Sequence, residues 1–260
     1  MKPYDQTFLE IINHLVIHHP NLLPSIEELI LKVQNKSKQD SEFFQVIHAD
    51  LFRHSKSQLR QDMFVLHQLA YKRNGYFVEF GATNGVDLSN THMLEKHFGW
   101  TGILAEPARC WHEALRVNRS CNIEKKCVWS STGNTLVFNE TQLAELSTIN
   151  QFSGTDGHFR SRENGVQYPV TTISLNDLLE KYQAPKSIDY LSIDTEGSEY
   201  EILSNLDFTK YSFGIITVEH NSTPARDLIH ELLVCHNYYR IFETLSKWDD
   251  WYIFKQSDSH

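Results

Sequence analysis

A carboxylate followed by two spaced glycines is the first pattern in the chain with the residue types for chemistry. In "YFVEFGATNGVD", residues 76–87, an apolar run contains Glu79 and breaks into a loop that holds Gly81 and Gly85. The dinucleotide fingerprint G-x-G-x-x-G needs a glycine at Thr83, so the E-x-G-x-x-x-G spacing disfavours a nicotinamide cofactor. A negative group before such a loop suits a cofactor with an amino group and a positive centre, and S-adenosylmethionine has both.

A second carboxylate ends the next apolar run. "GILAEP" places Glu106 27 residues after Glu79 (106 − 79). This is close to the spacing at which a nucleotide-binding α/β fold presents an acid to ribose hydroxyls. Glu106 is therefore predicted to bind the ribose of the cofactor. Capping of the following helix is an alternative role for this residue.

Two further apolar runs end in acids and a histidine. "YLSID" ends at Asp194 and continues into Glu196, and "GIITVEHN" carries Glu219 and His220. Methyl transfer to an alcohol needs an aligned nucleophile whose proton is removed as the bond forms. Asp194 and His220 are therefore the candidate catalytic residues. In the alternative interpretation, Glu196 only caps the following helix and Glu199 is a surface acid.

The elements that must position these residues have the pattern of an α/β fold. From residue 76 onward, short apolar runs alternate with helical stretches, which predicts a mostly parallel sheet with helices on both faces. The runs are "YFVEF", "TGILAE", "KKCVWS", "SIDYLSID" and "FGIITVEH". In the less regular interval 133–168, "TLVF" is predicted as an added strand. "YYRIFETLSKWDDWYIFK" predicts two strands that pair antiparallel at the sheet edge.

The residues before 57 have a helical pattern. Apolar residues recur at helical spacing, and Ser25 with Glu28 forms a capping box. This predicts an N-terminal helical cap over residues 1–56 and a main domain over residues 57–260. The cap carries no obvious chemistry and is expected to pack on the main domain or to form a homo-oligomer contact.

Composition argues against several classes of function. The 260-residue chain has a formal charge of −9 and no basic patch, which disfavours a nucleic-acid partner. The four cysteines show no zinc or disulfide spacing, and no run approaches the ~20 apolar residues of a membrane span. A reduced, cytoplasmic protein without a membrane span is the expectation.

Several motifs together resemble one family. "SQLRQD", "FVEFGATNGVDLSNTHMLEKHFGWTGILAEP" and "IDYLSIDTEGSEYEIL" are similar to the FkbM-type family of S-adenosylmethionine-dependent methyltransferases, and the resemblance covers about residues 57–254. It implies a class I methyltransferase (Rossmann-like) fold and methylation of a hydroxyl group, often on a sugar or glycan. The identity of the acceptor does not transfer with the fold.

The resemblance also implies a set of cofactor contacts. The residues are Glu79, Gly81, Asn84, Gly85 and Ser89 for the methionine end, Glu106 for the ribose, and Trp129 and Ser130 for the adenine. Helix capping is the alternative role for Ser89, and ordinary core packing is the alternative for Trp129.

By analogy with catechol-type O-methyltransferases, the later strand ends are predicted to hold a divalent ion. The ligands would be Asp194, Glu196, Glu219 and His220. A histidine among them suits Mn²⁺ or Zn²⁺ better than Mg²⁺. The rival is a metal-free mechanism in which His220 or Asp194 is the general base.

The sequence thus predicts an S-adenosylmethionine-dependent O-methyltransferase that acts on a carbohydrate hydroxyl, for example in a bacterial surface polysaccharide or its precursor. One alternative is an O-methyltransferase of a non-carbohydrate small molecule. The other is a catalytically silent α/β module that binds the cofactor without turnover. The polar loop around residues 152–164 and the N-terminal helical cap are the expected acceptor walls.

Overall fold

The computed structural model describes residues 51, 53–243 and 245–255. The predicted N-terminal helical cap lies almost entirely outside these residues, and so does the homo-oligomer contact predicted for it. The described chain belongs to two compact units. One contains Asp62–Tyr71 with residues before Lys56, and the other contains Lys56–Gln61 and the chain from Lys72 onward. The domain boundary at residue 57 stays a prediction.

The described residues contain eleven named strands and six named α-helices, besides short 3-10 helices and loops. The strands are β1 (Tyr76–Phe80), β2 (Thr101–Ala105), β3 (Asn122–Glu124), β4 (Cys127–Trp129), β5 (Thr135–Glu140), β6 (Thr148–Ile149), β7 (Val166–Ser174), β8 (Ser187–Ile193), β9 (Ser212–Glu219), β10 (Tyr238–Ile241) and β11 (Asp249–Phe254). The helices are α1 (Gln61–Gln68), α2 (His92–Phe98), α3 (His112–Asn118), α4 (Leu175–Lys181), α5 (Glu199–Leu203) and α6 (Ala225–Cys235).

Seven strands form the main sheet, in the order β10-β11-β9-β8-β1-β2-β3. The neighbours from β9 to β3 are parallel, whereas β11 pairs antiparallel with both β9 and β10. The mostly parallel α/β sheet and the C-terminal antiparallel pair are therefore confirmed. The apolar runs of β1, β8 and β9 are buried along most of their length, as parallel strands covered on both faces must be.

A second sheet of four strands, in the order β4-β7-β5-β6, was not predicted. "TLVF" does form the added strand β5, but "KKCVWS" does not join the main sheet, because β4 pairs with β7 instead. Glu124 turns the chain between β3 and β4: its carboxylate accepts hydrogen bonds from the backbone N–H groups of Lys125 and Lys126. The third strand of the main sheet is the short β3.

The carboxyl ends of the parallel strands meet at one edge of the main sheet. Phe80 is in register with Ala105 on one side and with Ile193 on the other. The residues that follow these strands are therefore brought together, as expected for a ligand site on an open α/β sheet. Among the described helices, none is long and apolar enough to cross a membrane.

Candidate active site

The glycine loop after β1 begins at a very close approach to the end of β8. Gly81 has a φ of 71°, and a Cβ placed on it would lie 1.8 Å from the backbone oxygen of Asp194. Only glycine fits this contact, because any other residue adds both a clash and backbone strain. The requirement for glycine at this position is therefore set by the neighbouring strand.

Glu79 is the centre of a buried hydrogen-bond network. Its Oε1 accepts the backbone N–H of Asn90 at 2.6 Å, and its Oε2 accepts the hydroxyls of Ser89 and Thr91. The guanidinium of Arg119 lies 3.7 Å from Oε2. Burial raises the pKa of Glu79, and the charge of Arg119 opposes that shift. Glu79 therefore ties β1 to the start of α2.

The other predicted residues of the methionine end support the loop. Asn84 closes the turn, since its Oδ1 accepts the N–H groups of Val86 and Asp87. Ser89 Oγ accepts the N–H of His92, the first residue of α2, although the N-cap position of that helix is Thr91. Of the predicted loop residues, Glu79 and Gly81 line the central cavity, whereas Asn84, Gly85 and Ser89 do not.

Glu106 lies at the cavity and is only 5% exposed. Its Oε2 accepts the N–H of Thr83 at 2.9 Å, and its Oε1 accepts the N–H of Ala108 at 2.8 Å. Burial raises the pKa of Glu106 to about 7, although these two hydrogen bonds lower it. The carboxylate thus joins the glycine loop to the end of β2.

The cavity, of about 310 Å³, has one apolar end and one acidic end. Beyond Glu106, the wall is apolar and comes largely from the second sheet; its side chains are Ala105, Pro107, Cys127, Val128, Phe138 and Ile149. Trp129 and Ser130, predicted to contact adenine, do not line the cavity. Trp129 packs in the core of the second sheet, with its ring centroid 6.1 Å from that of Phe152.

Three carboxylates form the acidic end. Asp194, Glu196 and Glu219 each present an oxygen atom, and these atoms lie within 4.8 Å of one another. Asn221 joins them, because its Nδ2 donates to Glu196 Oε2 at 3.1 Å and to Glu219 Oε2 at 2.9 Å. The structure therefore brings together three of the four predicted metal ligands and adds an amide.

Burial disfavours the ionised form of these three carboxyl groups. It raises the pKa of Asp194 to about 6 and that of Glu196 to about 9. The pKa of Glu219 is also raised, first by burial and then by the charges of the other two. Two like charges about 4.8 Å apart repel by roughly 3.5 kcal/mol at an effective dielectric constant of 20. The charge of Arg162, which donates to Glu196 Oε2 at 2.6 Å, offsets part of this repulsion, and protons or a cation can offset the rest.

His220 is not part of the cluster and does not line the cavity. Its Nδ1 accepts the N–H of Ser222 at 2.9 Å, and its Nε2 lies 3.8 Å from Asp250 Oδ1. Side chains alternate direction along a strand, so the residue after Glu219 points to the opposite side. Burial lowers the pKa of His220. The predicted grouping of His220 with the acids is therefore not found.

Two further residues give the acidic end its shape. Glu199 is buried, not a surface acid, and its Oε1 accepts the N–H groups of Thr195 and Gly197. Arg162 is buried in the predicted acceptor loop and donates to Glu196 Oε2 at 2.6 Å and to both oxygens of Asp156. A single arginine in a polar loop gives no sequence signal. Asn221 lies in the turn after β9, with a φ of 44°, so the alternation of side chains along a strand does not predict its contact.

A comparison with known protein families identifies the family to which this chain belongs. The methyltransferase FkbM domain profile matches residues 79–249, from the acid of the glycine loop to the first residue of β11. The chain belongs to the FkbM methyltransferase family. A search of curated proteins gives no match.

Three solved structures that this FkbM methyltransferase resembles at low sequence identity are methyltransferases. A methyltransferase FkbM from Methylobacillus flagellatus KT is 12% identical, with 90% of this chain and 59% of that chain covered and a TM-score of 0.46. An O-methyltransferase from Bacillus cereus in complex with SAH is 13% identical, with 89% and 97% covered and a TM-score of 0.40. A precorrin-6y C5,15-methyltransferase from Geobacter metallireducens GS-15 is 11% identical, with 69% and 71% covered and a TM-score of 0.38.

The FkbM chain has the expected class I methyltransferase fold. Within the sheet, β1 has β2 and then β3 on one side, and β8 and then β9 on the other. The antiparallel strand β11 lies between β9 and β10. The cavity lies at the carboxyl ends of β1, β2, β8 and β9. The family match makes the chain a methyltransferase.

Proposed function

We propose that this protein is an S-adenosylmethionine-dependent O-methyltransferase that uses a divalent cation to act on a carbohydrate hydroxyl. The observation that carries the proposal is the cluster of Asp194, Glu196 and Glu219 in the same cavity as the glycine loop. A cofactor site and an oxygen-rich cation site in one cavity are the two parts that metal-assisted methylation of an alcohol needs.

The cavity fits the cofactor in shape and polarity. Its apolar side chains suit an adenine ring, and Glu106, which accepts the N–H of Thr83 in the glycine loop, lines the same cavity. A volume of about 310 Å³ is at the lower end of the range typical of small-molecule sites. In the proposed complex, Glu106 accepts the ribose hydroxyls, and the loop from Gly81 to Gly85 lies beside the methionine part. S-adenosylmethionine supplies the methyl group as an electrophile.

The acidic end fits a hard cation. Three carboxylates from the ends of β8 and β9 offer only oxygen atoms, which Mg²⁺ and Mn²⁺ prefer. With His220 outside the cluster, the argument for a softer ion such as Zn²⁺ is lost. A divalent cation there would supply a Lewis acid that lowers the pKa of an acceptor hydroxyl.

The residues of the chain orient this chemistry. Asn221 and Arg162 each donate to Glu196 Oε2 and so fix the direction of that carboxylate. In the metal-free alternative, Asp194, whose pKa is raised to about 6 by burial, would accept the proton that the acceptor releases near neutral pH. The acceptor is proposed to enter past His158 and Trp248, which line the same cavity.

The proposed acceptor class rests on the family and on charge. Among the described residues that line the cavity there is no lysine or arginine, so the wall offers no bidentate guanidinium and no ammonium group to a phosphate or carboxylate of the acceptor. An uncharged sugar ring with neighbouring hydroxyls suits such a wall. The acceptor within a bacterial polysaccharide and the cytoplasmic location stay predictions.

Isothermal titration with S-adenosylhomocysteine, followed by transfer of labelled methyl groups to a panel of oligosaccharides and glycan extracts, tests the proposal. We expect cofactor binding, labelled carbohydrate, loss of activity with a chelator and recovery with Mg²⁺ or Mn²⁺. Binding of NAD in place of S-adenosylhomocysteine would reject the cofactor. Labelling confined to proteins or small phenols would reject the carbohydrate acceptor.

The same preparation separates the two mechanisms. Full activity after exhaustive chelation, with no metal found by elemental analysis, would remove the cation from the mechanism. Asp194 would then be the general base, because His220 does not line the cavity. A silent binding module would bind S-adenosylhomocysteine but label no acceptor under any metal condition.

A further inference from the structure

A buried amide oxygen in the cavity wall has no partner. Asn90 is 7% exposed and lines the cavity between the glycine loop and β8. Its Nδ2 donates to Ser192 Oγ at 2.9 Å, whereas its Oδ1 has no hydrogen-bond partner among the described residues. A buried acceptor without a donor is destabilising, so its presence at a ligand cavity indicates that a ligand supplies the donor.

Glu79, the acid expected to bind the cofactor's amino group, is already engaged. Its two oxygens accept one backbone N–H and two hydroxyls, and Arg119 lies at ion-pair distance. Those donors come from the chain itself and are buried with it. These bonds occupy three of the roughly four lone-pair sites of the carboxylate, so Glu79 offers a ligand one site at most, on Oε1.

Two hydrogen bonds connect Asn90 to β1 and to β8. Its backbone N–H donates to Glu79 Oε1 at 2.6 Å, and its Nδ2 is held by Ser192, which also lines the cavity. With the NH₂ group directed to Ser192, the oxygen is the part of the amide left for a ligand. An ammonium group is the donor that the methionine part of the cofactor offers.

We propose that Asn90 Oδ1 accepts a hydrogen bond from the ammonium group of the cofactor's methionine part, and that Glu79 is a positioning residue that holds Asn90 in place. This inference rests on the proposed S-adenosylmethionine cofactor. In this proposal the positive amino group of the cofactor is bound by the Asn90 amide, just before α2, and not by Glu79 of the glycine loop.

The test compares two ligands that differ at one group. S-adenosylhomocysteine carries the ammonium group, and its deaminated analogue carries a 2-oxo acid in its place. Wild-type protein is expected to prefer S-adenosylhomocysteine, and Asn90→Leu should weaken its binding about 10- to 100-fold, as loss of a charge-assisted hydrogen bond does. Affinity for the deaminated analogue should change by less than about 3-fold, because that ligand makes no such bond.

Two control variants complete the experiment. Asn90→Asp keeps an oxygen at the Oδ1 position, so it should retain the preference for S-adenosylhomocysteine. Asn139→Leu removes another buried asparagine whose Oδ1 has no partner within the described chain, but Asn139 lies in the second sheet, outside the cavity. It should leave both affinities within about 3-fold of wild type. Calorimetry gives the affinities, and circular dichroism confirms that each variant folds.

The outcomes separate this inference from the function it rests on. If wild-type protein binds neither ligand, the proposed cofactor is wrong and the inference with it. If wild-type protein binds S-adenosylhomocysteine but Asn90→Leu keeps the preference, only the Asn90 assignment is overturned. If Asn90→Asp loses as much affinity as Asn90→Leu, the cavity-facing group is a donor and the assignment is also overturned. If Asn90→Leu does not fold, the Asn90→Asp result decides.

Discussion

Glu106 joins the glycine loop to the proposed ribose site, so it gives the first prediction at the scale of single residues. Glu106→Ala should weaken S-adenosylhomocysteine binding by about 10- to 100-fold, since a pair of charge-assisted hydrogen bonds contributes about 1.5–3 kcal/mol. Because burial raises the pKa of Glu106 to about 7, protonation below that pH removes the acceptor. Wild-type affinity should therefore fall as the pH drops below 7, and the variant should show a shallower fall. Calorimetry at pH 6 and pH 8 measures both, and identical pH profiles would contradict the ribose role.

Glu219 and His220 are adjacent in sequence and lie on different sides of β9, which makes them a matched pair. Glu219→Gln should lower the affinity for Mn²⁺ or Mg²⁺ by at least about 10-fold, because even residues that only support a ligand contribute that much. His220→Asn preserves an acceptor for the Ser222 N–H and should leave metal affinity within about 3-fold of wild type. Metal titration followed by calorimetry is the measurement. An equal loss of metal affinity in the two variants would show that His220 is part of the metal site.

At the scale of elements, the contact between β1 and β8 depends on Gly81. Gly81→Ala would place a Cβ against the Asp194 oxygen, whereas Gly133, with a φ of 88°, has no atom within 4 Å of its Cβ position. Strain at positive φ costs about 1–3 kcal/mol in both variants, partly offset by the reduced entropy of the unfolded chain. Gly81→Ala should therefore lose at least about 2 kcal/mol more unfolding free energy than Gly133→Ala, because a backbone clash is added. Urea denaturation measures the difference, and equal losses would show that the close approach can relax.

At the scale of the whole molecule, the buried acids make the metal-free protein less stable at alkaline pH. The folded-state pKa values are about 9 for Glu196, about 7 for Glu106 and Asp249, and about 6 for Asp194, all above the ordinary values of 4.5 and 3.8. The folded state therefore binds more protons than the unfolded state, so stability should rise as the pH falls from about 9 to about 6.5. The slope is about 1.4 kcal/mol per pH unit for each extra proton.

Histidines limit the range of that prediction. Burial lowers the pKa of His92 to about 4 and also lowers that of His220, so protonation of the unfolded chain opposes the trend below pH 6.5. Urea denaturation in chelator at pH 6.5 and 8.5 gives the two free energies of unfolding. Saturating Mg²⁺ or Mn²⁺ should reduce the difference, because a bound cation lets the acids ionise. A metal-free protein that is more stable at pH 8.5 would contradict the raised pKa values.

The sequence by itself determined the sheet and the ends of its strands. Apolar runs of five to eight residues must be buried on both faces, and parallel strands deliver their next residues to one edge. This placed Glu79, Gly81, Glu106 and Asp194 at one cavity. It also predicted the C-terminal antiparallel pair, because two short apolar runs separated by turn residues favour a hairpin-like pairing.

Only the tertiary structure decided which of these side chains remain available to a ligand. Glu79 is satisfied by Ser89, Thr91 and Arg119, contacts that depend on the fold around α2. His220 leaves the acid cluster because its side chain takes the opposite direction to that of Glu219. The second sheet forms because β4 pairs with β7, which is distant in sequence. Other apolar side chains of this sheet, and not Trp129, line the cavity wall. Such long-range contacts set the direction and the hydrogen bonds of each side chain, and a linear pattern of residues contains neither.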